Sequence, residues 1–206
     1  MKNYPHIFND TGIGTWKYNV QTGEILCNEN WANILGYKLS ELEPMTSKKW
    51  AELFHPRFLD KSELLLKELF EGKTDIYQCE IQLKHRQGHW VWILAKGRLE
   101  TRTPDGQPLL MVGTNQDITE KKNLIETTED QNKRLIDFAY IVSHNLRAHT
   151  GNMSMLIDIM ATEIPAFAEN EIYKNLKLAS ENLNDTVQRL NDAVIIDSKL
   201  NENIIP

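Results

Sequence analysis

Residues that interrupt helices are distributed unevenly along this chain, and that distribution limits its possible folds more than any other feature. Nine of its ten glycines, all five tryptophans and both cysteines precede residue 120; beyond it only Gly151, Pro165 and the terminal Pro206 can break a helix. The sequence from 120 onward must therefore be mostly helical, whereas residues 1–119 hold the turn formers that a sheet requires. We expect two domains, 1–119 and 120–206. Charge divides at the same place: the first part carries 14 basic and 15 acidic residues, the second 9 and 14, so most of the net charge of −6 sits on the helical part.

In the first part, Gly14 to Val20 alternates in polarity, turns at Thr22-Gly23 and resumes at Ile25-Leu26-Cys27, a hairpin pattern. Short helices are expected over 30–35, closed by Gly36, over 48–54, stopping before Pro56, and over 58–70, stopping at Gly72. Three longer strands follow, 76–85, 89–101 and 109–118, separated by Gln87-Gly88 and Pro104-Asp105-Gly106. Two strands, several short helices and three strands predict an antiparallel sheet with helices on one face, an α+β fold.

The second part has apolar residues at helical spacing in two runs. Leu135, Phe138, Val142, Leu146, Met153, Leu156 and Met160 form the first, with an irregularity near 145–152; Ile172, Leu176, Ala179, Leu183, Val187, Leu190 and Val194 form the second. Around Pro165 the pattern breaks, which predicts a long antiparallel helical hairpin. A lone hairpin cannot bury both seams, so pairing with a second copy into a four-helix bundle is the economical arrangement.

Two family resemblances attach to these segments. Trp16-Lys17-Tyr18-Asn19, Asn30-Trp31-Ala32-Asn33-Ile34-Leu35-Gly36-Tyr37, Trp50-Ala51-Glu52-Leu53-Phe54-His55-Pro56, Gly88-His89-Trp90-Val91-Trp92-Ile93 and the ending Val112-Gly113-Thr114-Asn115-Gln116-Asp117-Ile118-Thr119 resemble a PAS sensory domain. Phe138-Ala139-Tyr140-Ile141-Val142-Ser143-His144-Asn145-Leu146-Arg147 is similar to the phosphoacceptor box of sensor histidine kinases. The resemblance implies that His144 accepts phosphate from ATP and passes it to a response-regulator receiver domain. It also implies that Asp117, Ile118 and Thr119 couple the sensor to the helices.

Phosphoryl transfer to histidine requires a neutral ring nitrogen presented to solvent. If Leu135, Phe138 and Val142 face inward, His144 is rotated about 200° away from Val142 and points outward. His149 is expected at or near the seam. The box departs from the family pattern after the histidine. Asn145 stands where an acidic residue is common; it can orient the ring but cannot take its proton. Ala148 replaces a residue that positions water for dephosphorylation, and His149 replaces a helix-bending proline. These departures keep an alternative open: a non-catalytic PAS regulatory or scaffold protein with a degenerate bundle.

Nothing in residues 1–206 resembles an ATP-binding domain or a Gly-rich phosphate cradle, so ATP and Mg are expected only with a catalytic domain outside this chain, which alone should be inactive. The chain reads as a piece of a longer kinase or as a kinase remnant. Cys27 and Cys79 are too few and too separated for a disulfide framework or zinc cage, and no metal site is expected. They are read as reduced core residues. The negative charge argues against nucleic acid. No apolar run is long enough to span a bilayer and no signal peptide is apparent, so a cytoplasmic location is expected. A PAS pocket implies a small-molecule ligand whose identity the sequence leaves unknown. His55, His85 and His89 are haem ligands by residue type only, and the tryptophans are read as core or dimer-surface aromatics, not a ligand cage.

Overall fold

Gly23, Gly88 and Gly106 take φ values of 75°, 93° and 82° in the computed structural model, which describes residues 12–202. Only glycine enters that left-handed region without strain, and the three positions close the three hairpins of one six-stranded sheet. Its strands are β1 Gly14–Asn19, β2 Glu24–Cys27, β3 Met45–Thr46, β4 Tyr77–Lys84, β5 Trp90–Arg102 and β6 Pro108–Asp117. They lie in the order β3-β2-β1-β6-β5-β4, all neighbours antiparallel. The pairing of β1 with β6, from Gly14 opposite Asn115 to Asn19 opposite Leu110, puts the first strand beside the last.

Between β2 and β4 the chain forms α1 Glu29–Ile34, α2 Leu39–Leu42, α3 Ser47–Leu53, a 3-10 turn Pro56–Phe58 and α4 Leu59–Phe70. Side-chain caps start two of the α-helices. Asn28 Oδ1 accepts the Trp31 N–H at 3.0 Å, and Thr46 Oγ1 accepts the Lys49 N–H at 3.3 Å. One face of the sheet is buried with period two: Tyr77, Cys79, Ile81 and Leu83 on β4, then Val91, Ile93 and Ala95 on β5, against Trp31 and Ala32 of α1, Leu35 at its C-cap and Leu69 of α4. The α+β expectation stands. Helix α2 and strand β3 are additions, four and two residues long, too short for periodicity to show.

The chain divides into two units, Met1–Leu124 and Ile125–Pro206. The second contains most of α5 Thr119–Glu163, then α6 Pro165–Ala168 and α7 Glu171–Glu202. Arg147 bonds Gln188, Thr150 bonds Asn184, Ser154 bonds Ser180, and Lys177 pairs with Asp158; one number rises as its partner falls, so the hairpin is antiparallel. Of the expected apolar runs, the seam keeps Val187. Buried positions are Ser143, Thr150 and Ile157 on α5, seven residues apart, and Ser180 and Val187 on α7.

Most of the expected apolar runs are exposed: Leu135 at 64%, Phe138 at 65% and Ile172 at 68%. His149 is also exposed, which corrects its placement near the seam; the side chain of Val194 lies outside the described residues. Small hydroxyl side chains let the two helices meet, and the large apolar side chains line a different face. None of the described residues covers that face. No helix of the described residues is long and apolar enough to cross a membrane.

Candidate functional sites

A cavity of about 240 Å³ lies in the first unit between the sheet and helices α3 and α4. The sheet contributes Trp16, Tyr18, Ile25, Tyr77 and Met111; Trp31 comes from α1, Ser47, Trp50 and Ala51 from α3, and Leu59, Ser62, Glu63 and Leu66 from α4. As expected of core aromatics, Trp31 is buried in the core and Trp16 and Trp50 pack against it. Trp16, Trp31 and Trp50 line this cavity, whereas Trp90 and Trp92 pack against His55 and Phe58 with ring centroids 4.6 and 5.3 Å apart.

Two glycines place Trp16. Gly113 and Gly97 stand beside it in one row across β1, β6 and β5. A Cβ on Gly97 would come within 2.6 Å of Trp16 Cη2, and one on Gly113 would overlap both Trp16 Cζ2 and the Lys96 carbonyl oxygen. The indole thus occupies space that two side chains would otherwise fill. Its Nε1–H donates to Oδ1 of the buried Asn115 at 2.9 Å.

On the cavity wall the Ser62 and Tyr77 hydroxyls bond each other at 2.8 Å. Burial pushes the Tyr77 hydroxyl up to about 12, against an opposing effect of the Ser62 bond. Burial, with the Glu43 charge, likewise pushes the Cys27 thiol up to about 12. Sequence reasoning missed Ser62 and Glu63. Their signal was the stripe Leu59, Ser62, Glu63, Leu66, one helix face with polar residues in its middle.

None of the candidate haem ligands lines the cavity. His55 Nδ1 accepts the Arg57 N–H at 3.2 Å beside the 3-10 turn. His85 and His89 stack at 4.2 Å next to the β4–β5 turn, where burial and then His89 lower the His85 pKa.

The segment Asp117, Ile118, Thr119 is tightly held. Asp117 Oδ1 accepts the Thr119 N–H at 2.8 Å, so Asp117 supplies the side-chain acceptor at the helix start. Thr119 Oγ1 instead accepts the Trp92 N–H at 2.9 Å, and the Ile118 N–H donates to the Trp92 carbonyl at 2.8 Å. One turn on, Lys122 pairs with Glu80 at 2.5 Å and lies over the Trp92 ring, 5.1 Å from its centroid. The first turn of α5 is therefore bonded to both β4 and β5.

In the second unit His144 is exposed on α5, as is Asn145. The Tyr140 ring lies one turn before it, at 6.5 Å and 27°. Ser143 beside it is fully buried, and its Oγ has no hydrogen-bond partner among the described residues.

Residues 24–115 match the PAS fold family, a span that holds β2 to β5 in full, most of β6 and every cavity residue except Trp16 and Tyr18. The first unit holds a PAS domain. Its PAS domain is similar in structure to a sensory box histidine kinase/response regulator from Burkholderia thailandensis E264, at 25% identity over 65% of this chain and 98% of that chain, with a TM-score of 0.56. It is also similar to the N-terminal domain of a diguanylate cyclase with PAS/PAC sensor from Marinobacter aquaeolei, at 22% identity over 53% and 98% of the two chains, TM-score 0.47. A third similar structure is the PAS domain of a protein from Colwellia psychrerythraea, 21% identical over 55% and 92%, TM-score 0.45. Among curated proteins none matches the sequence.

Proposed function

We propose that this chain is the sensory and phosphoacceptor portion of a two-component histidine kinase. The observation that carries the reading is an exposed His144, within Ser143-His144-Asn145-Leu146-Arg147, on the same continuous helix whose first turn is bonded to the PAS sheet. The similarity to a sensory box histidine kinase/response regulator supports it. In the transfer, one nitrogen of the neutral His144 ring attacks the γ-phosphorus of ATP held by a separate catalytic domain. The bond to the ADP oxygen breaks, and the other ring nitrogen releases its proton. Asn145 can hold the ring but cannot receive that proton, so water takes it and the step is slower than with a carboxylate. A receiver-domain aspartate then takes the phosphoryl group.

Sensing acts through Asp117, Ile118 and Thr119: a shift of β5 moves the Trp92 backbone, to which both Ile118 and Thr119 are bonded, and biases the helices carrying His144. The unpartnered face of Leu135, Phe138, Leu156 and Ile172 supports a homodimer closed as a four-helix bundle, giving about twice the 23.9 kDa chain mass in light scattering. A second reading, a PAS scaffold without phosphotransfer, is favoured by Asn145, Ala148 and His149. Incubation with γ-labelled ATP and the ATP-binding domain of a related kinase separates the two. Acid-labile, alkali-stable label that disappears in His144→Gln is expected; an unlabelled chain at stoichiometric kinase domain would establish the scaffold reading.

A further inference from the structure

We infer that the PAS cavity is a receptor for a small organic cation, an ammonium ion carrying alkyl groups. The inference deepens the sensory half of the function above by naming the ligand class, and it does not depend on phosphorylation of His144. Five aromatic side chains from four different elements line the cavity: Trp16 and Tyr18 from β1, Trp31 from α1, Trp50 from α3 and Tyr77 from β4. Among the described lining residues Glu63 alone carries a formal charge; Lys, Arg and His are missing from the wall. Glu63 is exposed, which places it toward the mouth, and it takes part in no salt bridge among the described residues.

Each ligand class meets this wall differently. An anion would be desolvated with no counter-charge while facing a carboxylate, so carboxylate and phosphate ligands are disfavoured. A neutral polar ligand could bond the Ser47 and Tyr18 hydroxyls, since the Trp16 N–H donates to Asn115 and the Ser62 and Tyr77 hydroxyls bond each other, but it would draw nothing from the Glu63 charge. Besides a few hydroxyls, the wall offers aromatic surface, the Met111 thioether and one negative charge. Ring quadrupoles together with a carboxylate attract a weakly hydrated cation, whose alkyl groups fill the apolar remainder. The volume of about 240 Å³ is below the usual range of roughly 300–1,000 Å³ for drug-sized ligands, which sets the size as small.

The test uses three probes of nearly the same shape and different charge: choline, 3,3-dimethylbutan-1-ol and 3,3-dimethylbutanoate, titrated into the 206-residue chain by calorimetry and tryptophan fluorescence. Choline is expected to bind at least about tenfold more tightly than the alcohol, with no saturable response to the butanoate. Glu63→Gln should weaken choline several-fold and leave the alcohol unchanged, and Trp50→Leu should weaken both. Glu63 is exposed, so its variant keeps the fold, which circular dichroism verifies. Equal affinity for choline and the alcohol, tightest binding of the butanoate, or no saturable binding of any probe would overturn the inference. Labelling of His144 in the kinase assay is read separately, so loss of cation binding leaves the phosphoacceptor reading standing, and the reverse also holds.

Discussion

Replacing Gly113 by alanine tests how the sheet makes room for Trp16. The new Cβ would overlap two things of different stiffness: the Trp16 indole, and the Lys96 carbonyl oxygen, which belongs to the backbone of the neighbouring strand. A side chain can turn away, but a ladder carbonyl cannot move without breaking its pairing. Overpacking of this kind costs about 1–3 kcal/mol, and we place Gly113→Ala at the upper end. Alanine returns only about 0.4–1 kcal/mol by restricting the unfolded chain, which leaves a net loss of about 2 kcal/mol.

At Gly97 the obstacles are Trp16 Cη2 at 2.6 Å and Met111 Cε at 2.8 Å, both at the ends of side chains, so Gly97→Ala should cost about half as much. With a urea slope of about 2 kcal/mol per molar, the midpoint should fall by about 1 M for Gly113→Ala and about 0.5 M for Gly97→Ala. Tryptophan fluorescence is the appropriate signal, because all five tryptophans precede residue 120 and report only the first unit. Adding Trp16→Leu should recover most of the Gly97→Ala loss and little of the Gly113→Ala loss. A Gly113→Ala midpoint within about 0.3 M of the parent, or the reverse ranking of the two variants, would refute this account of the packing.

Three further outcomes are expected. Tyr77 and Cys27 have folded pKa values raised to about 12 from 10.0 and 9.0, so the unfolded chain ionises first; stability of the PAS domain is full below about pH 9 and falls as pH rises toward 12. Urea midpoints that stay level from pH 8 to 11 would contradict this. Ser62→Ala leaves the buried Tyr77 hydroxyl unpaired and should cost about 1–3 kcal/mol, while Ser62→Ala with Tyr77→Phe should recover part of that loss in the same melts. Thr119→Val removes the acceptor of the Trp92 N–H; amide exchange at Trp92 should accelerate at least tenfold, and unchanged protection there would remove Thr119 from the coupling segment.

The parts of this protein that were legible in its sequence are those determined by neighbouring residues. Thr22-Gly23, Gln87-Gly88 and Asp105-Gly106 mark hairpins because their glycines must take positive φ, and all three do. The exit segment was readable as a helix start, although only the three-dimensional structure assigns Asp117 to the Thr119 N–H and Thr119 Oγ1 to Trp92. The sheet order was not readable, since β1 pairs with a strand about ninety-five residues away.

A pocket was implied by the family resemblance, but its walls were not readable because volume belongs to packing: nothing local distinguishes Trp16 over two glycines from an ordinary core tryptophan. In the helices the misreading has a specific cause. Apolar periodicity follows the face of Leu135, Phe138 and Leu156, whereas the chain's own contact runs through Ser143, Thr150 and Ser180, residues whose polarity disguises their burial. His144 was placed outward from the apolar row, and it is exposed although it adjoins the true seam at Ser143.

That seam has a consequence for how the protein responds to its own abundance. Each chain brings to its second unit a narrow contact of hydroxyl groups and few large side chains, so its helices hold little hydrophobic core of their own. Helices in this situation derive most of their stability from whatever covers their apolar face. If a second copy covers it, folding of the helical unit and association become one equilibrium, governed by chain concentration, while the PAS domain with its own core stays folded at any dilution. Expression level would then act as an input alongside the ligand, deciding how many sensors have an ordered helix on which to display His144.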